Sequence, residues 1–306
     1  MNAPQCTAVD LEKLLSSEHL PGMPQTAVRL LELSQNPDNG PAEFAVSIEV
    51  DPGLTVQVLR FVNSSYFSFR SEISSVKQAV TMVGCRTIKN FALWSAVFNM
   101  IPNPRCGAFD LKSLWLDSLR RGLFARWVTR QFGKKEVEEV FAAALLQDMA
   151  VPLLAKELPD QFTRLLDRRS NFHERLSELE HATFGWTHAD AAGIMARQWK
   201  LPELLRELIE GHLRLDDFMD EAPVDPAKVG VAISALLPAA VDSGWQDLER
   251  LERAYERIRP ALAPPLSEAF AAIDKEFAEL APVLRIPKPK VTLVDAYQQA
   301  TAAPAV

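Results

Sequence analysis

Apolar positions recur at three- and four-residue intervals along most of this chain, and proline and glycine mark where each run stops. In "MPQTAVRLLELSQNPDNG", Pro24 stands where a first helical turn tolerates it. Val28, Leu30, Leu31 and Leu33 then form an apolar stripe that ends at Asn36, Pro37 and Gly40. Pro41 and Pro52 repeat the device, so "PAEFAVSIEV" and "DPGLTVQVLRFVNSSYF" are predicted as two further helices, the second capped by Asp51. "SSVKQAVTMVGCRTIKNFALWSAVFNMI" reads as a helix, a break near Gly84 and another helix. After the linker "PNPRCG", the segment "FDLKSLWLDSLRRGLFARWV" opens a second helical region that reaches at least "PAKVGVAISALLPAAV". Two amphipathic runs, "WQDLERLERAYERIRPAL" and "PPLSEAFAAIDKEFAELAPVL", follow and are expected to cap the bundle. Strand-like content is confined to "KVTLV", 290 to 294, inside a Pro- and Ala-rich tail expected to be irregular. The expected fold is an all-α multi-helix bundle: helical parts 14 to 107 and 108 to 213, a helical extension 214 to 284, and a tail 285 to 306.

One run carries chemistry. "FAAALLQDMAVPLLA", 141 to 155, reads as a single apolar helix with a polar pair, Gln147 and Asp148, at its centre. A buried, unpaired carboxylate costs roughly several kcal/mol, so Asp148 is expected to line a groove, accept hydrogen bonds or hold a metal. The plainest partners are Gln147, a backbone amide or a neighbouring histidine.

Composition narrows the classes. With 306 residues, 48% hydrophobic and 24% charged, the chain fits a soluble globular protein with a sizeable core. Its formal charge of -7, from 33 basic and 40 acidic residues, argues against a protein that coats nucleic acid. Cys6, Cys85 and Cys106 are odd in number and form no CxxC pair, so neither a disulfide framework nor a thiolate zinc site is suggested, and a reducing cytoplasm is the simplest home. The first residues lack a basic start and an apolar stretch, so no secretory signal is expected. The longest apolar runs, such as 91 to 101, fall short of the roughly 18 to 20 residues of a membrane span.

Two surfaces invite a functional reading. In "FVNSSYFSFRSEISS", 61 to 75, Asn63, Ser64 and Tyr66 end one helix and lead into a polar-aromatic loop that Ser74 or Ser75 closes by capping the next. Either these polar groups only hold the loop's shape, or Asn63, Ser64, Tyr66 and Arg70 present a recognition surface. The helix, glycine, helix at "QAVTMVGCRTIKN" resembles a helix-turn-helix, and residues 70 to 90 carry four basic residues against one acidic, a local charge of +3. The second helix is nevertheless strongly apolar, which disfavours nucleic acid as a partner. His19, His173 and His181 sit among charged residues and are expected to be solvated. The tryptophans, Trp94, Trp115, Trp127, Trp186 and Trp199 among them, are expected to pack in the core.

The elements "LPGMPQTAVRLLELSQNP" and "IEVDPGLTVQVLRFVNSSYFSFRSEISSVKQAVTMVGCRTIKNFALW" resemble the HDOD domain, a bacterial signalling output domain related to HD phosphohydrolases. The likeness covers roughly residues 14 to 213. It implies an all-α cytoplasmic regulatory module that keeps the helical core of HD enzymes while often losing their metal site. HD enzymes centre one or two divalent metals on an adjacent His-Asp pair; here the pair reads Gln147-Asp148, and an amide is a far poorer ligand than imidazole. By the same resemblance Asp117 stands where a first histidine ligand would be, and His188 matches a histidine of the cyclic-dinucleotide phosphodiesterase branch. That branch's double histidine is reduced to Gly211-His212, and its Gly-Tyr-Pro signature is absent. Asp117, Asp148, His188 and His212 remain, 31, 40 and 24 residues apart and so on four different helices. For His188 the bland alternative is ordinary packing beside a Thr187 cap.

The resulting expectation is a non-catalytic signalling output or adaptor protein without a cofactor. A groove between its two helical parts would bind a partner protein or a small signalling ligand, and the helices after 214 would serve as caps or a homodimer contact. No receiver or sensor segment is expected ahead of residue 14, so input would come from that partner or ligand. The alternatives are a metal-dependent phosphohydrolase acting on a nucleotide or cyclic dinucleotide, and a helix-turn-helix-like DNA binder.

Overall fold

The computed structural model describes residues 9 to 16, 20 to 101, 103 to 172 and 174 to 302; Cys6, His19 and His173 lie outside them. Among the described residues there is no strand, and no helix is long and apolar enough to cross a membrane. The chain begins with α1 (Leu11–Leu14), α2 (Gln25–Gln35), α3 (Pro41–Glu49), α4 (Pro52–Val62), α5 (Val76–Val83) and α6 (Cys85–Met100). Their ends follow the local chemistry. Asp51 accepts from the Leu54 N–H at 3.0 Å, and Ser75 accepts from the Gln78 N–H at 3.2 Å, so each satisfies a donor that the first turn leaves open. Gly84 separates α5 from α6 at φ 90°, a backbone region that favours glycine.

The middle of the chain forms α7 (Leu111–Arg130), α8 (Val137–Leu146), α9 (Val151–Glu157), α10 (Pro159–Phe172), α11 (Leu176–Phe184), α12 (His188–Gln198), α13 (Glu203–Glu210) and α14 (Leu215–Asp220). Helix α7 is the axis of the molecule: α8, α15 (Pro226–Ser234) and α17 (Leu266–Leu280) all pack on it, and α6 and α13 pack on α8. Gly122 permits the close approach of α8. A Cβ there would stand 2.9 Å from the Leu145 side chain and 3.1 Å from Phe141. The helices after residue 214 therefore build the same core as those before it, and one buried apolar cluster runs from Leu15 to Leu293.

Two expectations are corrected. Residues 141 to 155 do not form one helix. Helix α8 stops at Leu146, residues 147 to 150 are turns, and α9 starts at Val151. The cause is Pro152, which has no N–H to give the Asp148 carbonyl and whose ring crowds that carbonyl, so the helical ladder breaks where the polar pair lies. The tail from 285 is not wholly irregular either. After α16 (Leu248–Ile258) and α17 comes α18 (Leu293–Ala302), whose first amides, Leu293 and Val294, donate to the Asp274 carboxylate at 3.0 Å each while Leu293 is fully buried.

Candidate functional site

The break after α8 sets the Asp148 carboxylate free of the helix and into a cavity of about 130 Å³. Helix α12 contributes His188, the turn after α13 contributes His212, and α7 contributes Asp117 and Arg121. Asp148 Oδ1, His188 Nε2 and His212 Nε2 form a triangle with edges of 3.3, 3.2 and 3.7 Å. All three residues are buried.

Each histidine is held from behind. Glu180 on α11 accepts from both the His188 backbone N–H (2.8 Å) and its ring Nδ1 (2.5 Å), and the Ile209 carbonyl accepts from His212 Nδ1 at 2.7 Å. Both rings thereby turn Nε2 toward Asp148, the orientation that second-shell partners impose on metal-ligating imidazoles. Thr187, the expected cap, opens α12: its N–H and hydroxyl donate to Asp190 at 2.7 and 2.9 Å. Burial, then the charge of neighbouring His188, pushes the His212 pKa well below the ordinary histidine value, so this ring is neutral at pH 7.

The other two positions taken from the resemblance do not join the triangle. Gln147 is fully buried and its Oε1 accepts from the Ser234 hydroxyl on α15 at 3.3 Å. Asp117 accepts from the Ala240 N–H at 2.9 Å. Burial is the dominant influence on Asp117 and raises its pKa to about 6, against the opposing pull of Arg121 and the Ala240 amide.

Two participants escaped the sequence reading. Arg121 forms an ion pair with Asp148 through Oδ2, the oxygen that faces away from the histidines. Its signal was present: it stands four residues after Asp117 and so on the same helix face. Glu180 gave none, because it lies on the preceding helix and its pairing with His188 depends on how α11 and α12 meet. Around the mouth, Arg169 makes a two-pronged pair with Asp242 (3.0 and 2.8 Å), and Arg175 pairs with Asp247 at 3.2 Å.

Donors around a single divalent ion with bonds of about 2.0 to 2.2 Å lie roughly 3.0 to 3.5 Å apart, so the triangle fits three ligands of one such ion. No group among the described residues joins the three as a fourth His, Cys or carboxylate donor of the cluster.

The loop from 61 to 75 is locally satisfied. Asn63 Nδ2 donates to the Ile73 carbonyl and Oδ1 accepts from the Ile73 N–H, both at 2.8 Å, and the Ser64 hydroxyl donates to the Phe61 carbonyl at 2.7 Å. Arg70 is exposed, whereas Tyr66 turns inward beneath the Arg126 guanidinium, 5.1 Å from its ring centre. On α6, Lys89 is buried, and Arg86 is engaged by the Lys135 carbonyl (2.8 Å) and Glu139 (3.1 Å). The basic pair that a DNA reader would present is thus occupied within the protein. His181 is exposed, as expected.

A helical bundle with a buried His and Asp cluster where its central helices meet is the architecture of HD-type domains. A model of the HDOD domain matches residues 20 to 215, and the chain belongs to that family. It is 23% identical over 209 residues to an uncharacterized protein of Treponema pallidum (strain Nichols), spanning 67% of this chain and only 40% of that one. Among solved structures, it is similar to a candidate signal transduction protein from Marinobacter aquaeolei VT8, with a TM-score of 0.66 and 20% identity over 90% of this chain and 60% of that one. It is also similar to a candidate phosphohydrolase from Shewanella amazonensis SB2B, with a TM-score of 0.64 and 17% identity over 92% of this chain and 94% of that one.

Proposed function

We propose that this chain is a non-catalytic signalling output or adaptor module of the cytoplasm, in which the HD-type pocket is a closed remnant and the work is done by binding a partner protein or a small signalling ligand. The observation that carries this reading is the Arg121 guanidinium on Asp148. It supplies at short range the positive charge that a metal would otherwise bring to that carboxylate. His188 is engaged on both sides: its Nδ1 is bonded to Glu180 at 2.5 Å, and its Nε2 lies 3.2 Å from His212 Nε2. The loss of imidazole at Gln147, whose side chain is engaged by Ser234, supports the same conclusion. A signalling role agrees with the description of the Marinobacter relative.

A second reading, a metal-dependent phosphohydrolase acting on a nucleotide or cyclic dinucleotide, is favoured by the donor triangle and by the description of the Shewanella relative. Asp148, His188 and His212 would hold the ion, which when bound would acidify a water molecule and polarise a phosphoester. Incubation with a chromogenic phosphodiester and with linear and cyclic dinucleotides, under added manganese, iron or zinc, separates the two. No turnover above the metal blank is expected. Turnover that disappears in His188→Ala would establish the phosphohydrolase instead.

A further inference from the structure

A second cavity, of about 430 Å³, lies where all three stretches of the chain meet. Phe61, Tyr66 and Phe91 come from the amino-terminal helices, Arg126, Arg130 and Phe141 from α7 and α8, and Glu276 from α17. Its walls are aromatic. Phe61 and Phe91 stack at 4.2 Å, and the Arg126 guanidinium lies between the rings of Tyr66 and Phe141, 5.1 and 4.4 Å from their centres.

Two residues that line this cavity each carry a buried polar atom with no partner among the described residues: the Asn90 carbonyl oxygen Oδ1 and the Trp94 indole Nε1. Both residues are buried, at 2% and 4% exposure, and they stand one helical turn apart on α6. Asn90 is oriented by its own Nδ2, which donates to the Glu138 carbonyl at 2.8 Å. An orphaned buried polar atom costs about 1 to 3 kcal/mol, and here an acceptor and a donor are orphaned one turn apart on the same helix. The cations are placed differently. Arg126 is committed to Glu276 at 2.5 Å, while Arg130 is half-exposed and approaches that carboxylate only to 3.9 Å.

We infer that this cavity binds a purine nucleotide, with the base among the aromatic rings against Asn90 and Trp94 and the phosphate on Arg130. A purine edge presents both hydrogen-bond donors and acceptors, the chemistry that an orphaned acceptor and an orphaned donor call for, and its faces suit an aromatic wall. The volume lies within the roughly 300 to 1,000 Å³ of small-molecule pockets. An acyl chain would leave both orphans unsatisfied, and a bare phosphate would leave the aromatic walls unused. Because the walls come from three parts of the chain, a bound nucleotide would tie them together, which makes this the ligand-input site of the module.

The inference rests on reading the chain as a binding module. Its test is calorimetric titration of the whole chain with adenosine and guanosine 5′-monophosphate, with ribose 5-phosphate and the free nucleosides as controls, and recovery of the nucleotide afterwards. Saturable binding of at least one nucleotide, and none of ribose 5-phosphate, is expected. Trp94→Phe keeps the ring but removes the N–H, and should weaken binding about tenfold. Arg130→Gln, at a half-exposed position that leaves the core intact, should weaken the nucleotide but not the nucleoside. Absence of saturable binding, or affinities unchanged in both variants, overturns the assignment. If the nucleotide is recovered intact in that case, the non-catalytic reading stands without this pocket. Conversion of the nucleotide that is lost in His188→Ala would overturn both.

Discussion

Arg121 reaches Asp148 from one turn beyond Asp117 and pairs with Oδ2, while Oδ1 faces the histidines. A second cation brought to the same carboxylate must overcome the guanidinium. Arg121→Ala should therefore strengthen binding of manganese or zinc by at least about tenfold, read by competition with a chromophoric chelator. Equal affinity in the two proteins would show that Arg121 does not block the site. Asp117 supplies an independent signature. Because burial raises its folded-state pKa to about 6 from 3.8, the folded chain holds this proton more tightly than the unfolded one. Its contribution to stability is full below pH 3.8 and is lost as pH rises through 6, a change on the order of 3 kcal/mol. Asp117→Asn keeps an oxygen for the Ala240 amide without the charge, so it should gain stability relative to the native chain between pH 4 and pH 7. A difference that does not vary with pH would contradict this. Asp148, His188 and His212 were legible in the sequence because the resemblance supplied their positions. Glu180 was not, since a contact between two helices leaves no spacing to read.

At the scale of elements, helix starts were written most clearly. Asp51 before Pro52 and Ser75 before Val76 cap as their chemistry dictates, and Gly84 breaks the chain where only a positive φ allows it. The interruption at 147 to 150 was harder to read, because apolar periodicity continues across it. The single residue that ends the ladder, Pro152, lies four positions downstream of the carbonyl it crowds. Helix α18 was masked differently. Its amino terminus is completed by Asp274, about 20 residues earlier on α17, a long-range cap that no local pattern announces. Asp274→Ala should thus release α18, at a cost of about 0.5 to 2 kcal/mol. Hydrogen exchange should show faster exchange for the amides of 293 to 302 alone; unchanged protection there would mean that packing of Leu293 suffices to hold the helix.

Taken whole, the molecule joins three sequence regions into one core around α7, so the pocket at Asp148 and the aromatic cavity at Trp94 are both built from that shared framework. On the proposed reading, that sharing would let a bound ligand act on the whole module, because occupancy of a cavity walled by all three regions would change how tightly they hold together. On the same reading, the HD-type cluster is closed by the Arg121 guanidinium on Asp148 rather than by a metal. The most direct measurement is the metal content of the full chain purified without chelator from cells supplied with iron, manganese and zinc. The account predicts far less than stoichiometric metal, at a level that Asp148→Ala leaves unchanged. One equivalent of iron, manganese or zinc, lost in Asp148→Ala, would contradict it.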